Sequence, residues 1–271
     1  MAPQPSASIS PSIKAQGGRE FEQRAGRSEY MRSVALLPTK ERAASEWIAP
    51  IQKFALFSNI FPRDCEEIVG AARNRGLSRG HTIYLEGDPV QQVVLLTSGS
   101  AKIVQFGHNG TEVILRLCGP GELVGTLGLS TRGRHSATAR ALRLSDALVW
   151  EIGTFESLLR RFPALRFNTV LILGKQLQDM EDRFIEISTE RVAARLSRQI
   201  LRLMDQVGHQ ENGAMEISLS REEMAQLIGT TMFTVSRLLS NWDKRGIVKA
   251  RRDGVSVQDW KALHDMSQGV S

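Results

Sequence analysis

The sequence predicts an α+β fold: a small antiparallel β-barrel, then a long helix, then a compact C-terminal domain of helices and a hairpin. Three observations predict it. Between residues 79 and 152, short β-rich runs are broken by turn signals at roughly the 8–12 residue spacing of a sandwich or barrel. From 154 to 206 apolar residues recur at helical intervals. After Ser220 a capped helix, a glycine, a second helix and an alternating hairpin follow in close order.

The N-terminal stretch 1–44 is rich in Pro, Ser, Gln, Gly and Arg and lacks sustained periodicity. Such a segment cannot bury enough surface to offset chain entropy, so it reads as a disordered extension. From Trp47 the texture changes, and "EWIAPIQKFALFSNIF" and "PRDCEEIVGAARNRGL" predict two short helices, the second opened by Pro62. The barrel strands then lie in "HTIYLEGD", "QVVLLTSGSAKIVQFGHNG", "TEVILRLCGPGELVG" and "SATARALRLSDALVWEIG". Asn109-Gly110 between two of them predicts a type I′ hairpin.

In the long helix, Leu165, Val170, Leu173, Leu177, Met180, Phe184 and Ile187 form a stripe. A stripe of that length needs a partner, and it reads as a two-helix dimer seam in preference to packing on its own barrel. A further helix, "TERVAARLSRQILRLMDQ", follows at once. The boundaries read as 45–160 for the barrel with its flanking helices, 161–188 for the long helix and 189–262 for the C-terminal domain.

In that last domain Ser220 and Glu223 form a capping box, and Gly229 ends the first helix. The second helix runs from about Thr231 to Lys244, with Val235 and Leu238 inward. Two short helices joined by a tight glycine turn make the helix-turn-helix pattern, in which the second helix enters the major groove of DNA. Asp253-Gly254 then turns a two-stranded wing.

The side chains suit that role. Arg237 is the type that reads guanine O6 and N7 bidentately, and Ser236 can bond a base edge. Met232, Phe233 or the Thr234 methyl can meet a thymine methyl. Thr230, Thr231, Lys249, Arg251 and Arg252 are placed to clamp phosphates, a salt-dependent contribution. The 35 Lys and Arg against 29 acids give a net charge of +6. That is compatible with a nucleic-acid partner without demanding one.

Composition excludes other classes. The chain has 271 residues, 41% of them hydrophobic, which suffices for a real core. It has only two cysteines, Cys65 and Cys118, far apart, so neither a disulfide scaffold nor a four-thiolate iron-sulfur or zinc site is expected. No apolar run reaches about 18 residues and no signal-peptide block is visible, so no membrane partner and a cytoplasmic location are expected. Neither a nucleophile elbow nor a metal-ligand cluster occurs. Gly119-Pro120-Gly121 lacks the helix and Lys of a phosphate-binding loop. An enzyme is not expected.

With these elements in hand, the chain from about 47 to 262 resembles the CRP/FNR superfamily of bacterial transcription factors. "YLEGD", "LLTSGSAKIV", "GPGELVGTLGL" and "TVSRLLSNWDKRGIV" carry the resemblance. It implies a cyclic-nucleotide-binding-like β-roll of the double-stranded β-helix or jelly-roll kind, a dimerisation helix and a C-terminal winged helix-turn-helix. It further implies double-stranded DNA with a near-palindromic site, a second copy of the chain and RNA polymerase as partners.

In cyclic AMP binders of this family a glutamate after the roll's glycine receives the ribose, and an Arg-Ser pair holds the cyclic phosphate. The matching positions here are Gly125-Thr126 and His135-Ser136, with Arg134 one residue off, and these five form the candidate effector pocket. The missing glutamate and the His in place of Arg argue against a cyclic nucleotide, because a buried anionic phosphate needs charged donors. The N-terminal cysteine cluster of the oxygen-sensing branch is also missing. "GTTMFTVSRLLSNW" is similar instead to the branch regulating nitrite and nitric oxide reductases, with Phe233 where many members place a base-reading glutamate. That branch implies a response to nitrogen oxides and leaves haem open as a cofactor. No single one of His81, His108, His135, His209 and His264 stands out as its ligand.

Overall fold

The computed structural model describes residues 51–108, 110–125, 133–211 and 214–269. The extension 1–44 lies outside them. The first predicted helix begins outside the described residues, Ile51 is still helical, and the rest of that stretch holds a 3₁₀ turn, Ala55–Phe57. Helix α1, Pro62–Gly70, starts at Pro62, whose fixed φ suits the first helical turn. It stops short of the predicted end, because Arg73–Leu77 is strand β1, paired along its length with β7, Ser145–Glu151.

The remaining roll strands are β2 (Thr82–Tyr84), β3 (Gln92–Ser98), β4 (Ala101–Phe106), β5 (Glu112–Cys118) and β6 (Thr138–Ala141). They form two antiparallel sheets, ordered β1-β7-β3 and β2-β6-β4-β5. The near-continuous apolar runs of β3 and β7 follow from burial on both faces. Val94, Leu96, Ala147 and Val149 turn into the roll with Ile83, Ile103, Cys118 and Ala139. Val93, Leu95, Leu148 and Trp150 instead pack on the helices with Ile68, Phe155 and Leu165. Buried Trp150 also donates from Nε1 to the Ile68 carbonyl at 2.7 Å, so its polar edge is satisfied.

β4 and β5 flank Asn109-Gly110 as predicted, but five residues, 107–111, connect them in place of a two-residue turn. The Gly110 amide donates to the Gly107 carbonyl, and Gly110 has φ +78°, the arrangement of a longer loop built on a turn closed by a left-handed glycine. Farther along, β5 carries an extra residue: Ile103 pairs with Arg116 and Val104 with Ile114, leaving Leu115 as a bulge. The bulge turns Ile114 and Leu117, three apart, to one face, where both join the core of the C-terminal domain.

Three helices follow: α2 (Ile152–Arg161), α3 (Pro163–Thr189) and α4 (Val192–Val207). Leu165 packs into the roll-side core and Leu173 is half-buried, but Val170, Leu177, Met180, Phe184 and Ile187 are exposed. The stripe is therefore open to solvent over most of its length in a single chain. The opposite edge of α3 is tied inward, with buried Glu186 bonded to Arg202 and Arg198 of α4.

The C-terminal domain contains α5 (Arg221–Ile228) and α6 (Met232–Lys244), the two helices predicted. Its sheet is larger than the predicted wing. Strands β8 (His209–Glu211) and β9 (Ala214–Ile217) extend β10 (Val248–Ala250) and β11 (Val255–Val257) in the order β10-β11-β9-β8. A last helix, α7 (Trp260–Ser267), is capped by Asp259 and packs against α4. His209, expected in a loop, thus begins β8.

Candidate nucleic-acid interface and effector pocket

The helix pair is built by local signals. Ser220 Oγ accepts the Glu223 amide at 3.2 Å and the Glu223 carboxylate accepts the Ser220 amide at 3.0 Å, completing the capping box. Gly229 ends α5 with φ +65°, a left-handed conformation that strains a residue with a Cβ. Thr231 then caps α6: its Oγ1 accepts the Thr234 amide at 3.2 Å and lies 3.0 Å from the Thr234 hydroxyl. Both threonine hydroxyls are thus engaged in starting the helix.

Val235, Leu239 and Trp242 are the buried face of α6. Leu238, expected inward, is only partly covered, and Leu239 is fully buried in its place. The outward face carries Phe233, 78% exposed, with Met232 and Arg237 also exposed, while Thr230, Thr234 and Ser236 are half-buried beside them. Phe233, Ser236 and Arg237 stand at i, i+3 and i+4, one strip of the helix. Exposed Ser240, Asn241 and Lys244 continue it. The sequence reading omitted these three, although the same spacing from Phe233 and Arg237 reaches them.

On the wing, Lys249 and Arg252 are exposed. Arg251 is held differently: its guanidinium pairs at 3.1 Å with the nearly buried Glu216 carboxylate of β9, and its amide closes the turn onto the Gly254 carbonyl at 2.8 Å. Gly254 leaves room for that carboxylate, since a Cβ would come within 2.3 Å of a Glu216 carboxylate oxygen and push it aside. Arg251 is a brace of the wing, its charge offset by Glu216.

The effector-pocket residues are brought together only in part. Thr126 lies outside the described residues. Gly125 adopts φ +101°, and a Cβ there would sit 2.6 Å from the Tyr84 hydroxyl. Arg134 donates to the Gly87 carbonyl at 2.8 Å, and the Ser136 carbonyl accepts from Gln105 Nε2 at 2.5 Å. His135 is buried, its ring lying flat on that of Tyr84 with centroids 3.5 Å apart and planes within 6°. Burial pulls His135 down to about 4, with Asp88 opposing the shift, and pushes the Tyr84 hydroxyl up. At neutral pH the pair is uncharged and supplies no cation to an anionic ligand. Tyr84 was missed because its partner lies far along the chain and no local pattern joins them.

The described histidine side chains single out no haem ligand. Nε2 of His81 is 3.0 Å from the Arg75 guanidinium, the ring of His135 is stacked, and His108 and His264 are exposed. Among the described residues no three His, Cys, Asp or Glu gather to hold a metal ion, and no helix is long and apolar enough to cross a membrane. Cys65 and Cys118 are buried free thiols, and burial pushes Cys118 up to about 11, so both pack as small neutral groups.

Comparison with known proteins agrees with this architecture. Residues 74–162 match the cyclic nucleotide-binding domain family, and residues 190–266 match the Crp-like helix-turn-helix domain family. The chain is 27% identical to the cyclic AMP receptor protein of Thermus thermophilus, over 80% of this chain and 98% of that one. It is 24% identical to the CRP-like cAMP-activated global transcriptional regulator of Mycobacterium tuberculosis, over 79% and 96%. A transcriptional activator protein of Pseudomonas aeruginosa, anr, is also 24% identical, over 72% and 79%. Among solved structures, FixK2 of Bradyrhizobium japonicum has a TM-score of 0.64 at 20% identity, covering 72% of this chain and 96% of that one, a likeness of fold. With the roll, the long helix and the winged helix-turn-helix in this order, the chain belongs to the CRP/FNR family of DNA-binding transcription regulators.

Proposed function

We propose that two copies of the chain pair through α3 and bind a near-palindromic duplex, with half-sites about one helical turn apart, in the cytoplasm. The outward strip of α6 carries this reading. It presents Phe233, Ser236 and Arg237 from a helix whose own caps already use the threonine hydroxyls. Arg237 and Ser236 read base edges, Phe233 and Met232 meet thymine methyls, and Thr230, Lys249 and Arg252 hold phosphates. The exposed seam Val170, Leu177, Met180, Phe184 and Ile187 supports the dimer, since so long an apolar stripe in water favours association. RNA polymerase is the further partner through which bound protein acts on transcription.

The signal in this reading is a nitrogen oxide or a change in redox state, supported by the likeness of "GTTMFTVSRLLSNW" to the nitrite and nitric oxide reductase branch. It works as a shift between two dimer states that differ in rotation about α3, moving the recognition helices in or out of register. No step is assigned to haem. A second reading, a cyclic-nucleotide-responsive or effector-independent regulator, shares the fold. Of its two forms, the Tyr84–His135 stack favours the effector-independent one, because uncharged rings stand where a cyclic phosphate needs a cation.

Selection of binding sites from random duplex, with affinity measured against salt, tests DNA recognition. The expected result is one enriched palindrome and a steep salt slope. An absorption spectrum after purification with haem, before and after nitric oxide, together with calorimetry against cyclic AMP and cyclic GMP, separates the signals. Micromolar heat with either nucleotide would overturn the pocket argument.

A further inference from the structure

Arg183 joins three parts of the chain. It projects from α3 at the flank of the exposed stripe, one turn before Ile187, half-buried, between the β5 bulge and the end of α5. One guanidinium nitrogen donates to the Leu115 carbonyl, and the other donates to Leu227 at 2.5 Å and reaches Ile114 at 3.5 Å. Each acceptor is a group that its own element leaves open. Leu115 is the bulge residue on an edge strand, unpaired with β4, and Leu227 lies in the last turn of α5, whose carbonyls have no intrahelical donor. A planar fork holds both at once from two separate nitrogens in one fixed geometry, whereas an ammonium must reach both from a single, freely rotating nitrogen.

A second arginine holds the other side of the same turn. Arg195 of α4, buried, donates to the Ile187 and Glu190 carbonyls at the end of α3, both at 3.1 Å, and reaches Gly229 at 3.5 Å. A Cβ on Gly229 would be 3.7 Å from Ile187 Cδ1, so the turn lies directly against α3. The turn that aims α6 is therefore gripped from the helix bearing the exposed seam and from the roll.

We propose that Arg183 is a positioning residue for DNA recognition, fixing the recognition helix against α3 and β5 so that the dimer accepts one separation of half-sites. This rests on the homodimeric DNA-reading function proposed above. Arg183 itself touches no base: its removal alters how far apart the two helices are held, not what each reads. Its effect is on spacing, where that of Arg237 is on sequence.

The test uses the full chain with Arg183→Met and Arg183→Lys, on duplexes carrying the selected half-sites at the selected spacing and at spacings one and two base pairs longer or shorter. Wild type is expected to favour one spacing. In Arg183→Met that preference is expected to fall about tenfold, with base preference within a half-site unchanged, and Arg183→Lys is expected to lie between. A folded Arg183→Met that keeps the wild-type spacing ratio overturns the proposal. If Arg183→Met does not fold, an unchanged ratio in Arg183→Lys overturns it equally. A wild type that reads half-sites but ignores spacing overturns this inference and leaves DNA reading intact, whereas absence of any base preference overturns both.

Discussion

At the scale of single residues, the sharpest expectations concern Arg237 and His135. Arg237 is exposed on α6 beside Phe233, so its truncation disturbs no packing. Arg237→Ala is expected to cost about 1–3 kcal/mol per contact and to relax base preference at one position per half-site. Equal losses on the selected operator and on random duplex would remove its base-reading role. His135 acts on stability through pH. Its folded value, about 4, lies below the ordinary 6.5, so between these two pH values the unfolded chain binds more protons. The stability it contributes is complete above about pH 6.5 and falls by up to about 3 kcal/mol as pH drops to 4. Urea unfolding of wild type and His135→Gln across that range checks this: the variant is expected to have lost the extra slope, and parallel curves would refute it. Arg237 was legible because helix period and caps are local. The Tyr84–His135 stack and the Arg251–Glu216 pair were not, since each joins residues from separate strands or loops that only folding brings together.

At the scale of elements, legibility followed the strength of local chemistry. The strands at Gln92–Ser98 and Ser145–Glu151 announced themselves by apolar runs between glycine turns, and the α5–α6 pair by a capping box and a left-handed glycine. Strand β1, "RNRGL", has a single buried apolar residue, Leu77, and is a strand only because β7 offers it a backbone edge. Strands β8, "HQE", and β9, "AMEI", are three and four residues long, too short for an alternation to mark them. For α3 the period was visible but its target was not, and the structure divides it: Leu165 inward, Leu173 half-buried, and Val170, Leu177, Met180, Phe184 and Ile187 outward. Phe184 is 73% exposed in a single chain, so Phe184→Glu is expected to leave the monomer's melting temperature nearly unchanged. In a pair of α3 helices it would bury two charges at the seam. Sedimentation equilibrium is expected to show at least about tenfold weaker dimerisation. An unchanged constant would mean that the copies pair elsewhere.

At the scale of the whole molecule, the core of the winged domain takes in residues of the roll. Val104, Ile114 and Leu117 of β4 and β5 lie in one apolar cluster with Leu203 and Met204 of α4, Met224 and Ile228 of α5, and Trp242 of α6. Polar contacts reinforce the same junction. Lys102 is shared between Glu112 of the roll at 2.8 Å and Glu223 of the α5 capping box at 3.3 Å, and Gln206 donates to the Leu117 carbonyl at 3.0 Å. Opening the junction would expose apolar surface on both sides, so the two parts should unfold together even though each resembles a domain of its own. Leu117 tests this, being buried at the centre of the seam and remote from the α6 surface. Leu117→Ala is expected to cost about 2–5 kcal/mol, the usual range for a truncated core leucine. Two built-in reporters separate the outcomes, Trp150 in the roll-side core and Trp242 on the buried face of α6. With Trp47 and Trp260 replaced by Phe, variants that keep only Trp150 or only Trp242 are expected to report coincident transitions, both lowered equally by Leu117→Ala. A shift confined to the Trp242 transition would show that the winged domain is a separate cooperative unit. A signal of the kind proposed would then have to cross a flexible joint, because a continuous core would no longer link the roll to α6.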